Sequence, residues 1–253
     1  MTIHFDCTQC GKCCHNLRLT LSVDEAITWA GRGHAVQILA EALPWPADPE
    51  PETPQSVYDK ARSFPGTSGD IPVRIAIALV AYHDGPCPHL QPDMRCGNYE
   101  ARPRICRIYP LERRPLTAWT PQDRLCPPEA WDDDLPVLVR DGEIADPEAV
   151  SIIEAHRRVA LEDVPDLAAA CEALGVDKAA FANEGLAVHA PDPLLLAETL
   201  QSVRDSARCP TAARSWTILT NRGQTLSLLQ EAGCLAELVT QGPDYLGSFA
   251  DEA

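Results

Sequence analysis

Residues 7–14 read Cys-Thr-Gln-Cys-Gly-Lys-Cys-Cys, placing thiols at Cys7, Cys10, Cys13 and Cys14. A second set follows at Cys87, Cys96, Cys106 and Cys126. Four thiols within eight residues are too dense for an ordinary apolar core, and two groups of four match the ligand count of closed metal sites. A Cys-x2-Cys turn lets two thiolates converge while the intervening amides face the sulfurs, and Gly11 supports such a tight turn. Adjacent side chains project differently, so Cys13 and Cys14 either serve two different sites or leave one spare thiol.

Whether dense thiols mean metal or disulfide depends on the compartment. The opening Met-Thr-Ile-His-Phe-Asp shows neither a charged segment nor an apolar one of export type. The longest apolar run, Ile75 to Tyr82, falls well short of the roughly 20 residues that span a bilayer. We therefore expect a cytoplasmic protein without membrane attachment, in which such cysteines bind metal or act in catalysis. A formal net charge of -16 argues against nucleic acid as a partner, because counterion release needs clustered Lys and Arg. One basic island departs from that balance: Arg95, Arg102, Arg104, Arg107, Arg113 and Arg114 face only Glu100 and Glu112 in the same stretch.

At 253 residues with 45% hydrophobic content the chain can bury a substantial core. The 23 prolines, weighted to the first half, imply loops rather than long helices there. Pro44 to Pro54 is acidic and proline-studded and reads as a surface excursion. Leu17 to Leu21 predicts a short strand, and Ser22 with Glu25 forms a capping box opening a helix toward Gly31. Val73, Ile75, Ile77 and Leu79 alternate with Arg74, Ala76 and Ala78, predicting a strand that runs into Cys87. Beyond Leu135, a strand at Val137 to Arg140 and a turn at Asp141-Gly142 lead into helical spacing. Asp146-Pro147 and Asp192-Pro193 each place an N-cap before proline at the first helical position. Further helices are expected at Asp166 to Leu174 and at Gln224 to Val239, interrupted at Gly233. The fold class is α+β, with a small loop-rich, metal-clamped cysteine-cluster domain at 1–135 and a mostly helical region at 136–253.

The triplet Cys7-x2-Cys10-x2-Cys13 has the spacing of bacterial ferredoxin ligands, although Cys14 follows where a ferredoxin continues x3-Cys-Pro. The fourth ligand then comes from elsewhere, and both Cys87 and Cys126 precede proline. Pro103 can start and Pro110 stop a single helical turn holding Cys106, with Ile105 and Ile108 or Tyr109 facing inward. Four thiolates around zinc, or around an oxidised four-iron cluster, leave a charge of about -2 that nearby guanidinium groups offset. Arg102 and Arg107 are the candidates for that cofactor contact; the plainer alternative is a salt bridge to Glu100 or Glu112.

These residues resemble a known family. Cys-x2-Cys-Gly-x-Cys-Cys, then Cys87-Pro-His-Leu, then Cys96-Gly-Asn-Tyr-Glu-Ala-Arg-Pro-Arg-Ile-Cys-Arg-Ile-Tyr-Pro110 are similar to the YkgJ-type cysteine-cluster family, regarded as zinc- or iron-chelating and shared with flagellin lysine N-methylases. The resemblance covers roughly residues 7 to 126, with both halves in order. It implies that Cys7, Cys10, Cys13, Cys14, Cys87, Cys96 and Cys106 chelate metal, with Cys126 as the eighth. Arg102, Pro103, Arg107 and Pro110 match the rest of its signature.

Other residues carry plainer readings. Cys171, Cys209 and Cys234 lack paired spacing and read as core. His15 and His89 lie beside the cysteine bursts and suit zinc, but eight thiols already complete two sites. Asp132 to Asp134 reads as a solvated turn, and Gly31-Arg-Gly33 lacks the rest of a dinucleotide fingerprint. Three functions follow: a metal-chelating module binding a protein partner, an iron-sulfur enzyme or electron carrier, and, from the methylase relatives, protein methylation. We expect a bound iron-sulfur cluster, of the 4Fe-4S type, or zinc; the triplet spacing and neighbouring arginines favour the cluster.

Overall fold

The computed structural model describes residues 2–112, 124–206 and 214–251. Arg113, Arg114 and Cys209 lie outside them. The described residues are α+β, with strands and helices in comparable measure. The first stretch runs β1 (Thr2–His4), a 3-10 turn at Lys12–Cys14, β2 (His15–Leu21), α1 (Val23–Ala30), β3 (Val36–Pro44), α2 (Pro54–Ala61), β4 (Ser63–Ser68), β5 (Ile71–Pro86) and α3 (Arg104–Ile108). A 3-10 turn at Pro128–Trp131 precedes β6 (Val137–Arg140), β7 (Glu143–Ile144), α4 (Pro147–Glu162) and α5 (Val164–Ala173). The chain then continues through β8 (Lys178–Phe181), β9 (Gly185–His189), α6 (Pro193–Ser206), β10 (Thr217–Thr220), α7 (Gly223–Glu231), β11 (Ala236–Leu238) and β12 (Tyr245–Gly247). No helix among the described residues is long and apolar enough to cross a membrane.

Two compact units share the chain: Met1–Leu21 with Ala81–Val159, and Ser22–Val80 with Ala160–Ala253. In the first, β1, β6 and β7 form an antiparallel sheet, and β2 lies beside β5, whose last residues belong to this unit. Its core is small: Ile108, Leu111, Val139, Ala149 and Ile153 are buried, with Ile3, Ile105 and Ile144 packed against them. Proline sets α3 as its spacing predicts, since Pro103 caps the start and Tyr109-Pro110 ends it, leaving one short turn that buries Ile108.

In the second unit β3, β8, β10 and β11 run parallel, while β9 pairs antiparallel with β3 and β12. Helix α1 opens on the expected capping box, with the Ser22 side chain accepting from Glu25 N and the Glu25 carboxylate accepting from Ser22 N at 2.9 Å. Helix α6 contributes Leu196 and Leu200, both fully buried. The predicted helix from Gln224 to Val239 is corrected: α7 stops at Glu231, and Gly233, at φ 92, takes the left-handed conformation that turns the chain into β11.

Arg204, near the end of α6, ties this unit together. Its Nη2 donates to Asp163 Oδ1 at 2.7 Å, its Nε to Asp24 Oδ1 at 3.1 Å, and its Nη1 to Asp166. The Asp163 side chain, only 3% exposed, also accepts from Val23 N at 2.8 Å. Burial pushes the Asp163 carboxyl up, against the pull of Val23 N–H and Arg204.

Candidate metal centre

The first cysteine burst is shaped by two left-handed residues, Gln9 at φ 53 and Gly11 at φ 67. Cys10 lies between them in sequence, and Cys14 N donates to Gly11 O at 2.9 Å to close the 3-10 turn that holds Cys13 and Cys14. His15 Nδ1 is 3.0 Å from the same carbonyl oxygen. Gly11 is buried, and a Cβ placed there would lie 2.7 Å from Met94 Cε and 3.2 Å from Met94 O. Positive φ makes a side chain strained at this point, and a Cβ there would also displace the end of the Met94 side chain. Gly11→Ala is expected to cost about 1–3 kcal/mol from the strained backbone and to weaken metal retention; urea unfolding of the purified full chain checks it, and an unchanged midpoint would contradict this packing.

The second burst arrives on β5. Cys87 immediately follows the strand, and its N–H donates to Cys14 O at 2.7 Å, which joins the two bursts directly. A small hairpin then carries Cys96: Leu90 and Cys96 form an antiparallel bridge, Gln91 N donates to Arg95 O at 2.8 Å, and Gly97 N donates to His89 O at 2.7 Å. Cys106 sits on α3. Cys126 is held by Tyr109, whose hydroxyl accepts from Leu125 N at 3.1 Å and lies 3.7 Å from the Cys126 sulfur.

All described cysteines are free thiols. Cys13 and Cys14 Sγ are 4.0 Å apart, and the hydrogen bond between them holds Cys14 below and Cys13 well above the ordinary range. Burial pushes Cys106 up to about 12, and the charges of Cys87, Cys13 and Cys96 push the same way. Burial also raises Cys87, with Cys96 and Cys13 adding to it. For Cys126, burial again leads, followed by the opposing Tyr109 hydroxyl and then the charges of Cys13, Cys10 and Cys7. Cys14 is pushed by Cys87, Cys106 and Cys96, and Cys126 by Cys13, Cys10 and Cys7, while Cys13 also acts on Cys87 and Cys106, so the charges of both bursts reach one another. Mutual repulsion of this kind is what a bound cation relieves, so the donor chemistry fits a thiophilic metal. As they stand, no three Cys, His, Asp or Glu side chains among the described residues are drawn to ligand spacing around one point.

The arginines divide. Arg102 stacks 3.6 Å over the Tyr99 ring and donates to Tyr99 O at 2.9 Å, and its charge pulls Cys106 down. Arg107 donates instead to Glu148 Oε1 at 2.9 Å, a partner distant in sequence from Glu100 and Glu112. Glu112 is taken by Arg124, at 2.5 Å from Nη1. Sequence reasoning missed Tyr109 as a neighbour of Cys126; its place between Cys106 and Pro110 was visible, but nothing in the spacing marked its hydroxyl.

Residues 6–127 match the model of the CxxCxxCC family, described as a "putative zinc- or iron-chelating domain". This stretch therefore carries that domain. Comparison with curated proteins and with solved structures gave no match.

Proposed function

We propose that the CxxCxxCC domain at residues 6–127 holds two metal centres, divided between Cys13 and Cys14, in a metal-chelating cysteine-cluster protein. Cys7, Cys10, Cys13 and Cys126 would hold one and Cys14, Cys87, Cys96 and Cys106 the other. The observation that carries this reading is the convergence of two remote bursts of free thiols, joined by the hydrogen bond from Cys87 N to Cys14 O. We favour iron-sulfur, since the Cys7, Cys10, Cys13 spacing and the positive charge of Arg102 beside Cys106 suit an electron-rich cluster. A bound cluster would supply electron transfer or radical chemistry. The protein's own part is to fix the sulfurs through the Gly11 turn and α3, and to offset their charge with Arg102. Dense thiols that serve as metal ligands suit a reducing, cytoplasmic setting.

Metal and acid-labile sulfide per chain, with a visible spectrum, test this on protein purified without oxygen. Iron with matching sulfide and a broad band near about 400 nm is the expected result. Zinc without sulfide would retain the chelating function and remove the redox one. Neither metal, after reconstitution with iron and sulfide and separately with zinc, would overturn the proposal.

A further inference from the structure

We propose that Tyr109 is a positioning residue of the metal centre, its hydroxyl orienting Cys126 and tuning the charge on that sulfur; this rests on the metal-chelating reading of Cys126. Tyr109 directly follows α3, so the short element that presents Cys106 also carries this hydroxyl. The oxygen meets the Cys126 segment at two points, accepting from the backbone N–H of Leu125 at 3.1 Å and lying 3.7 Å from Cys126 Sγ. One side chain thereby fixes both the backbone entering Cys126 and the direction of its sulfur. The ring is itself held in place. Arg124 lies 5.9 Å over it, and Arg124 is clamped by Glu112 through Oε1 and the backbone carbonyl.

The hydroxyl has two lone pairs and one proton. In the structure its lone pairs serve the two donors, Leu125 N–H and the Cys126 thiol, so its proton is not committed to either of them. A metal-bound sulfur bears no proton and only accepts. At the same contact the hydroxyl then becomes the donor, while Leu125 N–H continues to hold the oxygen. An O–H···S bond withdraws charge from a thiolate, and such outer contacts change metal affinity by about 10- to 100-fold when removed. Phenylalanine would preserve the ring and its Arg124 contact while deleting both hydroxyl contacts, to the Cys126 sulfur and to Leu125 N–H; of the two, only the sulfur contact acts on the thiolate's charge.

Cobalt(II) is the probe, added to full-length, reduced, metal-free protein in competition with a chromophoric chelator. Tyr109→Phe is expected to keep the wild-type cobalt stoichiometry while raising Kd about tenfold or more. Its sulfur-to-cobalt charge-transfer band should move to longer wavelength, because a thiolate without that hydrogen bond is more easily oxidised. Purely structural packing by the ring would leave the band where it is. An unshifted band with Kd within about twofold of wild type would overturn the proposal for Tyr109. Cys126→Ser separates this from the underlying reading: it should lose one thiolate's share of the charge-transfer intensity. Undiminished intensity in Cys126→Ser would remove Cys126 from the ligand set, and Tyr109's role with it.

Discussion

Chelation of the bound metal under reducing conditions is expected to release the cysteine-bearing segments 6–21 and 87–106 to rapid amide exchange, leaving α6 and β10 protected. The reason lies in how little else holds those segments. The buried core of their unit is built on Ile108, Leu111, Val139, Ala149 and Ile153, and Gln91 to Arg95 in the Cys96 hairpin are exposed. Thiolate coordination of a structural metal contributes about 10–16 kcal/mol in small domains, far more than such a hairpin gains from its own burial. Cys106→Ser should act in the same direction, since it removes the one cysteine carried on α3. Segment-resolved hydrogen exchange measures both. Protection that survives chelation and the substitution would mean that β2, β5 and α3 hold the loops without metal, contrary to this account.

Arg204→Ala is the second large effect, a loss of about 3 kcal/mol in the other unit. Its origin is the carboxylate left behind: Asp163 is buried, and without Arg204 only Val23 N–H remains among the donors described for it. The guanidinium is 28% exposed, which places the loss at the lower end for breaking a buried pair. The pH dependence has a definite sign. Asp163's folded-state value is raised by burial, so its ionisation opposes folding: the favourable contribution is complete below the ordinary carboxyl value and is lost as pH rises through the raised one. Removing Arg204 raises that value further. The deficit of Arg204→Ala should therefore be small in acid, where Asp163 is neutral in both states, and should grow toward neutral pH. Urea titrations at both pH values would show it, and a deficit independent of pH would locate the cost elsewhere. Adding Asp163→Asn should recover part of the loss at neutral pH.

Local devices were legible because each is confined to a few neighbouring residues. Ser22 and Glu25 cap α1, proline brackets α3, and the alternation from Val73 to Leu79 gives part of β5. The cysteine bursts likewise announced a chelating domain by residue type and spacing. Strands β8, β10 and β11 were not legible: at three or four residues they are too short for any period to emerge, and the apolar residues of β11 read as a continuing helix. Gly233 ends α7 by adopting positive φ, a choice that Gly permits but does not impose.

By itself, then, the sequence determined an α+β chain with a thiol-rich chelating domain, because ligand chemistry and helix caps are written in short-range residue identity. Tertiary structure alone decided that Ser22–Val80 packs with Ala160–Ala253, that Cys87 N reaches Cys14 O, that Arg107 pairs with Glu148 and that Tyr109 meets Cys126. Those contacts join residues tens to more than a hundred positions apart or turn on where one hydroxyl points. They follow from how sheets and loops close in space, which no local spacing encodes.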